Sequence, residues 1–215
     1  VAWWKGADLN DSVGSNSLTN NNTVTFTSGK NATLGNAFTL NGTNQFMSVA
    51  DNAAISIAID TSFSIVAWIK TPASLPANPM DMVVKYSTTD YELGWHNDTN
   101  RVYTYVPDNG ANPVANYLTD LSTSPWYHTV GTYDDTAQLL TTYVNSATDG
   151  GVAATRGAVD GTGALRIGSL EGTSRFWSGQ IQAVGLYKGH ALSTAEISDS
   201  YNGGTGKQWP FIPDT

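Results

Sequence analysis

The stretch Trp126-Tyr-His-Thr-Val-Gly-Thr-Tyr-Asp-Asp-Thr-Ala-Gln-Leu-Leu-Thr-Thr-Tyr-Val-Asn145 decides the fold. Two runs rich in Thr, Val, Tyr and Trp flank a short polar tip at Asp134 to Gln138, the pattern of two strands folded into a hairpin. Side chains alternate between faces with a period of two, so Trp126, His128, Val130 and Thr132 share one side while Tyr127, Thr129 and Tyr133 share the other. The Trp126 side reads as core. The tyrosine side reads as the face a sheet would show to a ligand.

Composition narrows the class. A chain of 215 residues is expected to form one domain over 1–215, since all-β sandwiches often run to this length undivided. Hydrophobic residues make up 40% but lie in short runs, enough for a sandwich core and too short for membrane insertion. The net charge of -8 argues against nucleic acid, whose phosphates need a Lys/Arg surface. With Cys 0, neither a disulfide framework nor a thiolate metal site can form. The chain opens without a basic and apolar leader, so no export signal is expected within it. Asn10, Asn21, Asn31, Asn41 and Asn97 each open an Asn-x-Ser/Thr triplet, which in so Asn- and Thr-rich a sequence is expected by chance.

From the hairpin outward, short strands continue in both directions. Val1 to Trp4 reads as a strand and Asp8 to Asn22 as a polar loop. Ala37 to Leu40 and Gln45 to Val49, joined through Asn41-Gly42, read as a second hairpin. Ser62 to Lys70 alternates Phe63, Ile65, Ala67 and Ile69 against Ser64, Val66 and Trp68, a central strand with both faces partly covered. Pro72, Pro76 and Pro79 then break the chain into a loop. Further strands are predicted at 82–87, 91–96, 101–106, 115–119, 165–168 and 179–187. One helix is predicted at about 193–201, where Ser193 and Glu196 form a capping box, Leu192 and Ile197 a staple, and Asn202-Gly-Gly204 the stop. Residues 203–215 read as a tail. Many short strands without βαβ alternation predict an all-β, two-sheet antiparallel sandwich.

Five segments carry a family likeness: Asp11 to Gly14, Phe38 to Gly42 with Phe46, Phe63 to Ile69, Trp126 to Asp134 with Tyr143 to Asn145, and Phe176 to Ile181 leading to Tyr187 and Ala191 to Ile197. In this order the chain resembles the laminin-G-like branch of the concanavalin A-like jelly rolls over nearly its whole length. The resemblance implies two facing antiparallel sheets, usually a calcium ion, and most often noncatalytic binding of carbohydrate or a cell-surface partner. The tail Tyr201 to Phe211 looks like the ends of such domains in bacteriophage and environmental bacterial proteins.

A structural calcium is the candidate cofactor. Calcium takes six to eight hard oxygens, and Asp8, Asn10, Asp11 and Asn16 supply several in the first loop. In similar domains an acidic residue after the Gly of Phe176 to Gly179 joins such a site, and Gln182 stands at that position here. The alternative is an Asx-rich turn that bonds its own backbone. Sugar binding needs flat rings with amides and carboxylates at their edges. Tyr103, Tyr105, Tyr127, Tyr133 and Tyr143 offer the rings, and Glu92 and His96 the polar groups. The same tyrosines would equally cover a half-buried sheet or line a subunit interface. Trp177 beside Arg175 reads either as a second platform or as core, while Trp3, Trp68, Trp95 and Trp126 read as core and His128 as a core histidine.

Catalysis finds little support, because the chain lacks a nucleophile elbow, a His-Glu-x-x-His helix and a phosphate loop. Glycoside hydrolysis needs paired carboxylates, and Glu92 stands alone on its strand. The expected function is noncatalytic binding of a carbohydrate or glycan-bearing surface, outside the cell or on a virion. The alternatives are a structural role in a virion or surface assembly, with homo-oligomerisation or a larger assembly, and, third, a polysaccharide-degrading enzyme.

Overall fold

The computed structural model describes residues 1–74, 78–86, 90–96, 99–107, 112–155 and 161–210. Asn97, Pro76 and the end of the tail from 211 fall outside them. In chain order the strands begin with β1 (Ala2–Trp4), β2 (Thr19–Asn21), β3 (Thr25–Ser28), β4 (Asn36–Asn41) and β5 (Phe46–Val49). Next come β6 (Phe63–Lys70), β7 (Met80–Lys85), β8 (Tyr91–His96), β9 (Arg101–Tyr105) and β10 (Val114–Asn116). The last are β11 (Trp126–Asp134), β12 (Leu139–Val144), β13 (Ala147–Ala153), β14 (Leu165–Ile167) and β15 (Ser178–Lys188), followed by the helix α1 (Thr194–Tyr201). All pairings among these strands are antiparallel. One sheet runs β13-β12-β11-β6-β15-β4-β3 with β1 added to β15, and the other runs β10-β9-β8-β7-β14-β5-β2. This is the expected jelly-roll sandwich.

Period-two alternation builds two apolar layers rather than one. Phe63, Ile65, Ala67 and Ile69 of β6 point between the sheets, where they join Tyr91, Leu93 and Trp95 of β8 in the main core. On the opposite side of the first sheet Val66 and Trp68 join Trp3, Val130, Tyr187, Leu192 and Ile197 in a second cluster beneath α1. With cover on both sides, β6 is buried from Phe63 to Ile69, and each such large side chain contributes about 1.5–3 kcal/mol of burial. The helix that closes the second layer carries its predicted capping box, with Glu196 N–H donating to Ser193 Oγ at 3.3 Å and Ser193 N–H to Glu196 Oε2 at 2.6 Å. Asn202, with φ 49°, ends it in the left-handed conformation.

Three expectations are corrected. The hairpin β11–β12 forms in register from Thr129↔Val144 to Asp134↔Leu139, but its tyrosine side is buried as well as its Trp126 side. Tyr127 and Tyr133 point into the main core, and the Trp126 and Val130 side lies under the helix, because the first sheet has an apolar partner on both faces. Second, β4 and β5 do not pair. β4 lies between β15 and β3, and β5 between β14 and β2, so Asn41-Gly42 carries the chain from one sheet to the other. Phe38, Leu40, Met47 and Val49 thereby all reach the main core from opposite sides. Third, β2, β3 and β13 are strands that the sequence pattern does not predict. β2 is polar and none of its residues is buried, β3 is mostly exposed and β13 exposed throughout, so no hydrophobic alternation marks them.

Candidate functional site

With Tyr91, Leu93 and Trp95 turned inward, Glu92, Gly94 and His96 face outward from the second sheet. The register sets Tyr103 of β9 opposite Gly94, and Gly94 opposite Asp81 of β7, so the three lie in one row across the sheet. Gly94 makes the row work. A Cβ there would stand 2.4 Å from Tyr103 Cζ, so only glycine lets the Tyr103 ring lie flat across β8. Its hydroxyl then reaches Asp81 Oδ1 at 3.2 Å and also bonds Glu92 Oε1. His96 lies against the same ring, with centroids 4.2 Å apart.

Arg175 closes the cluster from the loop before β15. A Leu170↔Ser174 bridge folds this loop back on itself, and Asp81 N–H donates to the Arg175 carbonyl at 3.0 Å, fastening it to β7. Arg175 Nη1 donates to Glu92 Oε1 at 3.0 Å and to the Tyr103 hydroxyl at 3.2 Å, and stands 3.7 Å from Asp81 Oδ1. Burial, then the charge of Glu92, pushes the Asp81 carboxyl well above the usual carboxylate range despite Arg175. Burial and the two carboxyls likewise raise the Tyr103 phenol, which stays a donor.

Above this base lies an open cleft of about 300 Å³ walled by Tyr86, Glu92, His96, Tyr105, Val114 and Arg175. Tyr86, His96 and Tyr105 are half-buried and present ring surface. Among the described residues Glu92 Oε2 accepts no hydrogen bond, and Arg175 Nε and Nη2 donate none. The cleft thus offers an acceptor and two donor groups side by side next to aromatic rings.

Four of the residues expected at the site, Glu92, His96, Tyr103 and Tyr105, are brought together here. The others are not. Tyr127 and Tyr133 are in the core, Tyr127 with its hydroxyl donating to the Ser122 carbonyl at 3.1 Å. Tyr143 stands opposite Val130 at the second cluster, and Trp177 is wholly buried in the main core and is no platform. Sequence reasoning misses Asp81, Tyr86, Gly94, Val114 and Leu170, and the pairing of Arg175 with Glu92. The legible signals are an aspartate inside the apolar run Met80 to Val84 and a glycine inside a strand.

The first loop follows its alternative reading. Asp11 accepts from the N–H groups of Trp3, Val13, Gly14 and Asn16 and from Asn16 Nδ2, at 2.9–3.1 Å. These bonds hold its pKa down against burial. A carboxylate surrounded by N–H donors turns no lone pair toward a cation. Asp8 binds the Asn10 N–H at 2.9 Å, and buried Gln182 accepts from Lys30 N–H at 2.6 Å. The residues Asp8, Asn10, Asp11, Asn16 and Gln182 are therefore not assembled as one oxygen cage.

A family model described as the concanavalin A-like lectin/glucanases superfamily matches residues 41–198. The chain belongs to this superfamily. Among solved structures, this concanavalin A-like domain is similar to domain 4 of an extracellular arabinanase from Geobacillus stearothermophilus, solved in complex with arabinotriose. The two are 17% identical, with a TM-score of 0.68 over 92% of this chain and 96% of that one. It is also similar to botulinum neurotoxin type C, whose cell entry depends upon interaction with two ganglioside molecules, at 13% identity and a TM-score of 0.70. That match covers 94% of this chain and 50% of the toxin chain. The binding domain of Paraclostridial Mosquitocidal Protein 1 has a TM-score of 0.70 at 16% identity, covering 89% of this chain and 49% of that one. At these identities the likeness concerns fold. No protein of curated function matches the chain in sequence.

Proposed function

We propose that this concanavalin A-like domain binds carbohydrate without altering it, in the cleft between β8, β9 and the Arg175 loop. The observation that carries the reading is the outward-facing Glu92 and Arg175 pair, with unused acceptor and donor groups, set beside Tyr105, Tyr86 and His96. A sugar has an apolar face for stacking and hydroxyls that both donate and accept, and this pairing serves both. The carboxylates favour binding over hydrolysis. Glycosidases hold two accessible carboxyls on either side of the scissile bond, about 5–9 Å apart, whereas Asp81 is wholly buried, its carboxyl held above the usual carboxylate range by burial and by Glu92. Sugar ligands and extracellular action in fold relatives support the same reading for a secreted or surface protein.

The test is a glycan array followed by titration of hits with the wild type and Tyr105→Ala, a rim residue whose loss leaves the core intact. Removal of one stacking ring is expected to weaken binding roughly tenfold or more with an unchanged melting temperature. Absence of binding to any glycan would sink the reading.

A further inference from the structure

The central cleft is not isolated. On one side it shares His96 with a depression of about 210 Å³ lined by Thr99, Arg101 and Asn116. On the other it shares Arg175 with a third of about 460 Å³, lined by Asn78, Ser174 and Phe176 among others. His96 and Arg175 thus each line two adjoining depressions in one run, the last of which reaches Gly42 and Pro79, where the chain crosses between the sheets. Compact small molecules fill pockets of roughly 300–1,000 Å³, so the central cleft alone is sized for a single sugar ring and its nearest neighbour. The flanking depressions repeat its chemistry, with amide and hydroxyl side chains beside a guanidinium. Arg101 gives Nε to Asp120 at 2.8 Å, and Phe176 provides ring surface at the far end.

We infer that this run is a single trough for a linear oligosaccharide of at least three residues, bound along its length rather than by its terminal sugar. The central cleft would hold about two residues, and the Arg101-side and Phe176-side depressions about one each. The inference rests on the carbohydrate-binding reading of the central cleft and extends it to a ligand class. Polar walls on both flanks match the alternating hydroxyl edges of an extended chain, while a terminal-sugar site needs only the central cleft.

Calorimetric titration with arabino-, xylo-, cello- and manno-oligosaccharides of one to six residues tests this, with a ganglioside headgroup oligosaccharide as the compact, branched comparator. In a binding series, affinity is expected to rise about tenfold or more between the disaccharide and the tetrasaccharide and then level off. The double variant Asn116→Ala/Ser174→Ala, at exposed or half-exposed positions outside the central cleft, is expected to abolish that gain. Its disaccharide affinity should stay within about twofold of wild type. Equal affinity for mono- and hexasaccharide, or preference for the branched headgroup, would overturn the trough and leave the central site standing. If neither these series nor any array glycan binds, the carbohydrate reading falls and takes the trough with it.

Discussion

Acidification from pH 7 to pH 4 is expected to destabilise the fold through one histidine. His128 is 1% exposed, between the first sheet and α1, with Trp68 at 5.1 Å and Tyr201 at 6.0 Å. The Ser200 hydroxyl donates to the Ile197 carbonyl at 2.9 Å, so at 3.1 Å it accepts from His128 Nε2. Nδ1 is then a bare lone pair, buried and without a hydrogen-bond partner among the described residues. Protonation places a cation there with nothing to receive its new N–H, and burial lowers the pKa from 6.5 to about 3.

Because the folded-state value lies below the unfolded one, the unfolded chain binds the extra proton first. The contribution is complete above about pH 6.5 and is lost as pH falls toward 3, at about 1.4 kcal/mol per unit. The loss is about 2 kcal/mol by pH 5 and about 3 kcal/mol by pH 4. The full span of roughly 5 kcal/mol is a ceiling, since the negative end of the α1 dipole on this side returns up to about 1 kcal/mol to a cation. Urea unfolding of wild type and His128→Gln at pH 7, 6, 5 and 4 isolates the effect. The glutamine variant need not match wild-type stability, because its amide can donate to Ser200 without titrating and the carboxylates cancel in the difference. A wild-type advantage that shrinks with acid by these amounts bears the reasoning out. A difference that stays constant from pH 7 to pH 4 would refute it.

Gly94→Ala is expected to cost about 2–4 kcal/mol, because its Cβ displaces the Tyr103 ring and breaks the hydroxyl bonds to Asp81 and Glu92. In a double-mutant cycle with Tyr103→Ala, measured by urea unfolding, the two losses should be far from additive. EDTA is expected to leave the melting temperature within about 1 °C of its value in millimolar calcium, since Asp11 is saturated by N–H donors. A calcium-dependent rise of several degrees, removed by Asp11→Ala, would show that the first loop holds the ion.

Fold class was legible because strands with one or two apolar faces carry their period in the sequence. The β11–β12 hairpin, the two-faced β6, the inward Tyr91, Leu93 and Trp95, and the capping box of α1 are all local patterns, set by residues within one element. That Glu92 and His96 share one side of β8, and Tyr103 and Tyr105 one side of β9, also follows from alternation alone. Alternation says which residues share a side, but not which side meets the other sheet. That is why the tyrosines of β11 proved to be core, and why Trp126 and Val130 lie beneath a helix some sixty residues later in the chain. The site depended still more on distance. Asp81, Gly94, Tyr103 and Arg175 come from three strands and a loop, and only their register makes one row of them. A glutamate alone on its strand became part of a polar cluster with Asp81, Tyr103 and Arg175 once β7 lay beside β8, since long-range pairing sets both the neighbours and the loss of water that decide what a carboxylate does.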